Sequence, residues 1–166
     1  MTEDKAMEGT GVYVDEILDM LREDEGLVLK PYKCPAGKKT IGYGYNMEAN
    51  KLPDFIDHYL MQHGFISTEM AEYLLDRKVT EVIKEVRAAL PAGAWKALTP
   101  RRRGVVVMMA YNMGIGFLKG LRRWPRFNAA LEANHTEAVC REMEDSSWFH
   151  QVGGRAANLI NMYRRG

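Results

Sequence analysis

The feature that most limits the fold of this chain is one short break in helical periodicity. Between residues 27 and 46 apolar side chains alternate with period two, whereas they recur at helical spacing over most of the remaining sequence. Two extended runs, one around Leu29 and one over residues 40–45, flank the turn-forming residues 35–37. They predict a small antiparallel sheet of two or three strands in an otherwise helical protein.

Glycine occupies alternate positions of the second extended run, at Gly42 and Gly44. These glycines remove the side chains from one face of the strand. Either the backbone bends there or another group approaches it closely.

Helix caps and helix-breaking residues divide the rest of the sequence into helices. Residues 1–10 carry little apolar material and are expected to form a loose lead-in. The predicted helices run from the region of Gly11 to a stop at Gly26, from Pro53, from Ser67 to Pro91, from Thr99 and Pro100 to Gly114, and over residues 120–133, 136–144 and 154–164. The helix that begins at Pro100 is apolar nearly all round, which predicts a buried central element.

At 166 residues the chain has room for one domain, and residues 1–166 are expected to form it. We expect the helix over residues 10–24 to pack on a helical lobe over 92–166. A small sheet lobe over 25–66 and a connecting helix over 67–91 complete the arrangement. The predicted fold class is α+β, mostly α, with two lobes, and the cleft between them is the default site.

Composition excludes several classes of protein. Two cysteines are too few for a disulfide framework, and the longest strongly apolar run, residues 105–111, is too short for a membrane helix. The acidic, polar first five residues predict no signal peptide. His58 and His63 are five residues apart and lie on different faces of a helix, so we expect no metal site. No cofactor is expected either.

Net charge is +1, but it is unevenly distributed. Residues 1–86 hold 10 Lys and Arg against 17 Asp and Glu, whereas residues 87–166 hold 13 against 5. The arginines at 101–103, 122–123 and 164–165 suit a polyanion such as nucleic acid, a membrane surface or an acidic cell-wall polymer. They equally suit solvated helix faces that keep the protein in solution.

Chemistry is concentrated where the first helix meets the sheet. Glu25 ends that helix, and the following hairpin carries Cys34 and Thr40 in front of the glycine-rich strand. Glycoside hydrolysis needs a carboxylic acid that protonates the leaving oxygen and a second group that directs water to the opposite face of the sugar. The same pattern also fits a surface carboxylate near a helix end, and both interpretations remain open at this level.

A family resemblance adds to this pattern. Glu25-Gly26-Leu27, Cys34 after eight intervening residues, Thr40 after five more, and the following Ile-Gly-x-Gly resemble the active-site segment of the T4-type phage lysozymes, the endolysins of glycoside hydrolase family 24. Residues 111–114 resemble the end of that family's central helix, and residues 147–156 resemble its carboxy-terminal signature. The resemblance extends over about residues 13–166 and implies a lysozyme-like fold.

The resemblance implies a muramidase that cleaves the bond between N-acetylmuramic acid and N-acetylglucosamine. Glu25 would be the general acid, and Thr40 would hold the attacking water. Cys34 stands where the best-known member has aspartate, and Lys33, Lys38 and Lys39 could help to hold a thiolate. Three roles compete for Cys34: a thiol or thiolate that positions water, which we favour, a covalent nucleophile, or passive packing.

Further residues are implied only by their place in the family pattern. Tyr45 replaces a histidine of the best-known member. Cys140 is interpreted as a small buried hydrophobic residue without a bridge to Cys34. Residues expected to line the saccharide site are Tyr43, Asn46, Tyr111, Asn112 and Phe127; those expected to support it are Trp148, Gln151 and Arg155, the last by orienting Glu25.

The implied biology is that of a phage endolysin. Its partner would be bacterial peptidoglycan, with an anionic envelope surface possible, no nucleic acid, and a monomeric state. The protein would wait in the host cytoplasm until a holin opens the way to the periplasm. A lytic transglycosylase and a non-catalytic peptidoglycan-binding protein are the alternatives, and a water-holding Thr40 argues against the former.

Overall fold

The computed structural model describes residues 11–166, so the lead-in expected over residues 1–10 lies outside the described part of the chain. The helices and strands are α1 Asp15–Glu25, β1 Val28–Lys33, β2 Lys39–Gly42, β3 Tyr45–Asn46, α2 Asp54–His63, α3 Thr68–Ala89, α4 Ala92–Ala97, α5 Pro100–Met113, a 3₁₀ turn Ile115–Phe117, α6 Pro125–Glu132, α7 Thr136–Glu144, α8 Ser147–Val152 and α9 Gly154–Arg165. A small antiparallel sheet in the order β1-β2-β3 accompanies the helices. The predicted fold class, α+β and mostly α, is confirmed.

The described chain divides into two compact units. Residues 18–80 form the first, which we name the sheet unit, and residues 11–17 with 81–166 form the second, which we name the helical unit. The lobe boundaries expected from the sequence stay predictions.

In the sheet unit, the extended run over residues 40–45 is divided between β2 and β3. The chain reverses after β2, and φ is +68° at Gly42 and +67° at Gly44. Glycine reaches these angles without steric cost, so the two glycines form a tight hairpin in which Ile41 pairs with Tyr45. The backbone therefore bends at this point.

The same glycines allow close approach. A Cβ added at Gly42 would lie 3.4 Å from the Cβ of Ala71 on α3, so the sheet packs closely on that helix. The amide of Ile66 donates to the carbonyl of Leu29 at 2.9 Å and ties the segment before α3 to β1. Fully buried residues of this core include Ile41, Ile56, Ile66, Ala71 and Leu74.

In the helical unit, α5 is the central element, as predicted. The Thr99 side chain caps its first turn by accepting from the amide of Arg102, and all residues from 104 to 110 are buried. A Cβ added at Gly104 would lie 3.1 Å from the carbonyl oxygen of Tyr13, so residues 11–17 pack closely on this helix. The helix ends at Met113, where Gly114 has a φ of +80°.

One helix boundary and two short helices differ from the sequence expectation. The helix expected over residues 120–133 begins only at Pro125, because proline fits the first helical turn and the preceding segment turns through Gly120 at a φ of +79°. The six-residue helices α4 and α8 were not expected. Helices this short contain less than two periods of the hydrophobic pattern from which helices are predicted.

Candidate active site

Glu25 is held at the carboxyl end of α1. The amide of Gly26 donates to the carbonyl of Arg22 at 3.0 Å, and Gly26 has a φ of +67°, which ends the helix at the predicted place. The half-buried Glu25 side chain lies against the backbone of Gly44, because a Cβ added there would lie 2.9 Å from the Glu25 Cδ. The group that approaches the glycine-rich hairpin is therefore the Glu25 carboxyl.

Cys34 and Thr40 are joined by a tight turn. The amide of Cys34 donates to the carbonyl of Lys38 at 2.9 Å, and the amide of Gly37 donates to the carbonyl of Cys34 at 2.7 Å. The hydroxyl of Thr40 donates to the same Lys38 carbonyl at 2.8 Å. One carbonyl oxygen thus fixes both the Cys34 backbone and the Thr40 side chain.

This turn favours the charged form of the thiol. Hydrogen bonding to the backbone of Lys38 lowers the pKa of Cys34 most, while partial burial opposes the effect, and the backbone of Ala36 lowers it further. Cys34 is half-buried, and the thiols of Cys34 and Cys140 are both free.

Tyr32 is a neighbour of this site that the sequence analysis missed. It pairs with Thr40 across β1 and β2. Burial, and then the charges of Glu25 and Cys34, raise the pKa of the Tyr32 phenol. Its position in the extended run, two residues before Cys34, was the available signal.

The other two predicted site residues of the sheet unit make contacts within the protein. The hydroxyl of Tyr43, a residue only 8% exposed, donates to Glu72 Oε1 at 3.0 Å. The Asn46 side chain accepts from the amides of Glu48 and Ala49 at 2.9 and 3.0 Å, and so fixes the turn after β3. Their roles in saccharide binding stay predictions.

Tyr43 belongs to a charged network that braces the sheet unit. Arg22 donates to both carboxylate oxygens of Glu72, at 2.8 Å in its shortest contact, and Arg22 also pairs with Asp19 at 3.0 Å. The hydrogen bond from Arg22 lowers the pKa of Glu72 most, burial opposes it, and the Tyr43 hydroxyl lowers it further. The network joins α1, the hairpin and α3.

This pKa shift predicts a pH-dependent contribution to stability. A carboxyl with a lowered folded-state pKa stabilises the fold above its unfolded pKa, and that contribution is lost as the pH falls through the folded value. We expect Glu72→Gln to lower the free energy of unfolding by about 1 kcal/mol at pH 7, after allowance for solvent screening of this one-third-exposed pair. The difference should shrink below about pH 4. Urea denaturation of both proteins at several pH values measures it, and a pH-independent difference would contradict it.

The remaining predicted site residues lie in the helical unit. Tyr111 and Asn112 are in the last turn of α5, and both are half-buried. Trp148 is 4% exposed in α8, whereas Gln151 in the same helix is exposed and Arg155 in α9 is half-buried. Within residues 11–166, Nδ2 of Asn112 and Nε1 of Trp148 are buried without a hydrogen-bond partner.

Phe127 is packed inside an aromatic cluster. It is 1% exposed, and its ring centroid lies 5.6 Å from that of Trp124 and 5.7 Å from that of Phe117. A cavity of about 260 Å³ borders the cluster, and its lining residues are Arg123, Trp124, Pro125, Arg126, Phe127, Glu142, Asp145, Ser146 and Ser147. A direct role of Phe127 at a saccharide stays a prediction.

The arginines at 101–103 are used within the helical unit. Arg101 forms a bidentate pair with Glu16 at 3.1 and 3.2 Å. Arg102 donates to the carbonyl of Tyr163 at 2.8 Å, and Arg103 donates to the carbonyl of Trp95 at 3.0 Å. Each guanidinium also lies over an aromatic ring, at 5.0 to 5.7 Å from its centroid. These three arginines therefore connect α5 to α1, α9 and α4.

A similar use is seen at the carboxyl end of α9. Arg164 contacts Glu137 at 3.1 Å and Glu144 at 3.4 Å. A docking role of the arginines toward an anionic surface stays a prediction.

Residues 11–166 contain no group of three or more His, Cys, Asp or Glu side chains arranged to hold a metal ion. Over the same range, no helix combines the length and the apolar character that crossing a membrane requires.

Comparison with known proteins places this chain in a family. The family model described as phage lysozyme matches residues 22–166. The probable T4-type lysozyme 1 of Dictyostelium discoideum is 24% identical over 166 residues, which cover 92% of this chain and 96% of that protein. An endolysin of Acyrthosiphon pisum secondary endosymbiont phage 1 is 31% identical over 98 residues, which cover 59% of this chain and 57% of the endolysin.

A larger protein also matches. The pre-baseplate central spike protein Gp5 of Enterobacteria phage T4 is 29% identical over 153 residues, which cover 85% of this chain. The chain spans only 26% of the length of that spike protein. Since the family model covers most of the chain, the resemblance to the T4-type phage lysozymes is confirmed: the chain belongs to the phage lysozyme family, and its enzyme class is that of the lysozymes.

Proposed function

We propose that this chain is a peptidoglycan muramidase that hydrolyses the β-1,4 bond between N-acetylmuramic acid and N-acetylglucosamine. Glu25 is its general acid, and Cys34 with Thr40 positions and activates water. The observation that carries the proposal is the Cys34 turn, in which the Lys38 carbonyl holds both the Cys34 backbone and the Thr40 hydroxyl and hydrogen bonding lowers the pKa of the thiol. In this proposal the Cys34 sulfur is the base at the position where the best-known member of the family has aspartate.

The proposed reaction is a single displacement by water. Glu25 gives its proton to the glycosidic oxygen as the bond from that oxygen to the anomeric carbon breaks. Water attacks the anomeric carbon from the opposite face and gives a proton to the Cys34 sulfur. The products are two shorter glycans, one with a new reducing end, and proton exchange with solvent restores both side chains.

Substitution of Cys34 separates the three roles considered for it. If the thiolate is the base, Cys34→Ala should lower kcat about a hundredfold, because general-base assistance is worth that order. Cys34→Asp should keep activity and shift the low-pH limb of the rate profile to lower pH, since a carboxylate is charged at lower pH than a thiol. The measurement is kcat against pH on purified, solubilised glycan.

Two other outcomes would contradict the role as a base. Full activity of Cys34→Ala would mean that the side chain only packs. A protein mass increased by one glycan fragment during turnover would mean that the sulfur attacks the sugar directly. Cys140→Ala is the matched control, because its thiol is fully buried and belongs to the helical unit.

Mass spectrometry of fragments from purified peptidoglycan tests the proposed function itself. Water-added, reducing muramic ends are expected. Anhydro-muramic ends would identify a lytic transglycosylase and contradict the role of Thr40. Intact glycan that binds the protein would identify a binding protein without catalysis.

The biological setting is part of the same proposal. One relative is named an endolysin, so we propose host-cell lysis as the role, with release from the cytoplasm to the periplasm through a holin. Another relative is a phage spike protein, so a virion-associated role is the competing possibility. Detection of the protein in purified virions would favour the spike-like role, and a lysis defect in its absence would favour the endolysin role.

A further inference from the structure

The phenol of Tyr32 differs in its hydrogen bonding from those of Tyr43 and Tyr45 in the hairpin between β2 and β3. The hydroxyl of Tyr43 donates to Glu72 at 3.0 Å, and that of Tyr45 donates to the carbonyl of Lys51 at 3.0 Å. Tyr32 is half-buried, yet within residues 11–166 its hydroxyl has no hydrogen-bond partner. A polar group held in place and left available in this way can bind a water molecule.

Strand geometry places Tyr32 beside the proposed reacting groups. Its Cα is the direct partner of Thr40 across β1 and β2, and directly opposite residues of antiparallel strands project to the same face of a sheet. Cys34 follows two residues later, at the start of the turn that the Lys38 carbonyl fixes. The Tyr32 ring therefore shares a sheet face with Thr40.

Electrostatics extend this placement to Glu25. The pKa of Tyr32 is raised by its burial and by the charges of Glu25 and Cys34, so the phenol lies within electrostatic reach of both groups. The Tyr32 hydroxyl makes no hydrogen bond to Glu25 or to Cys34. The raised pKa also keeps the hydroxyl protonated throughout the neutral pH range.

We propose that Tyr32 is a positioning residue that orients the attacking water beside Cys34 and Thr40. This inference rests on the proposed function. A water molecule has two protons and two lone pairs. Its protons point to the Cys34 sulfur and to the Thr40 oxygen, whose own proton is donated to the Lys38 carbonyl. Tyr32 donates to one lone pair, and the other is left to attack the anomeric carbon.

Tyr32→Phe tests this role because it removes the hydroxyl and keeps the ring. We expect kcat to fall about tenfold, with KM changed less than twofold, since one neutral hydrogen bond in the transition state is lost. The matched control is Tyr73→Phe, which removes a phenol of the same unit from a ring that is 46% exposed on α3. That variant should keep the parent kcat and KM.

A second readout separates water positioning from an effect on the thiol. Iodoacetamide should alkylate Cys34 in the native protein but not Cys140, which is fully buried. If Tyr32 acts on water, the pH profile of Cys34 alkylation should be the same in Tyr32→Phe and in the parent protein. A profile displaced to higher pH would overturn the proposal, because the hydroxyl would then act by stabilising the thiolate.

The remaining outcomes are equally decisive. An unchanged kcat in Tyr32→Phe, with water-added reducing ends from the parent protein, would overturn the role of Tyr32 and leave the proposed function standing. Absence of hydrolysis by the parent protein would overturn both. A tenfold lower kcat with an unchanged alkylation profile would support the proposal.

Discussion

Glu25→Gln is expected to lower kcat for peptidoglycan hydrolysis about a thousandfold. Glutamine has nearly the same shape as glutamate but cannot give a proton to the glycosidic oxygen, and general-acid assistance is worth this order of rate. The measurement is release of reducing ends from purified peptidoglycan, with the fold checked by circular dichroism.

The control for Glu25→Gln lies on the same helix. Glu23→Gln changes an exposed carboxylate of α1 by the same chemistry and should leave kcat unchanged. Glu25→Gln should also keep its affinity for insoluble peptidoglycan, because binding needs no proton transfer. Retention of more than a tenth of the parent kcat would mean that another group protonates the leaving oxygen.

Gly44→Ala is expected to damage both stability and catalysis. Alanine at a φ of +67° costs about 1–2 kcal/mol of folding free energy, because the left-handed region is unfavourable for a residue with a Cβ. The new methyl group would also lie 2.9 Å from the Glu25 Cδ and displace the carboxyl. Displacement of a catalytic group by about 1 Å costs about a hundredfold in rate.

Gly64→Ala separates these two effects. Gly64 has a φ of +75°, and a Cβ there would have no atom within 4 Å, so the substitution brings the backbone strain without the contact. Urea denaturation should show similar losses of stability for both variants, whereas kcat per folded molecule should fall only in Gly44→Ala. Equal activities would mean that the carboxyl tolerates the methyl group.

Local signals in the sequence predicted much of the fold. Ser67 caps the first turn of α3 by accepting from the amide of Met70 at 3.1 Å. Thr99 and Pro100 mark the start of a helix as expected, and Gly26 and Gly114 mark helix ends. Each of these signals acts within a few residues of itself. The bend over residues 42–45 was only one of two alternatives at the level of the sequence, because alternating glycines satisfy both a strand pattern and a reversal with positive φ.

Long-range partners account for what the sequence did not predict. Tyr43 and Glu72 are 29 residues apart, and Arg22 and Glu72 are 50 apart, so no local pattern links them. The arginines at 101–103 suggested a surface for polyanions, but their partners include Glu16, Trp95 and Tyr163. Family motifs named Glu25, Cys34 and Thr40, while Tyr32 became a candidate only when strand register and charges were known.

The contacts of residues 11–17 with the amino end of α5 have a consequence for folding. Glu16 and Arg101 are 85 residues apart, and Gly11 and Arg103 are 92 apart, so these contacts close a loop that contains the entire sheet unit. Loop closure over such a length costs chain entropy and slows assembly of the contacts that close it. We therefore expect these contacts to form late in folding, because they join two segments that the whole sheet unit separates in sequence.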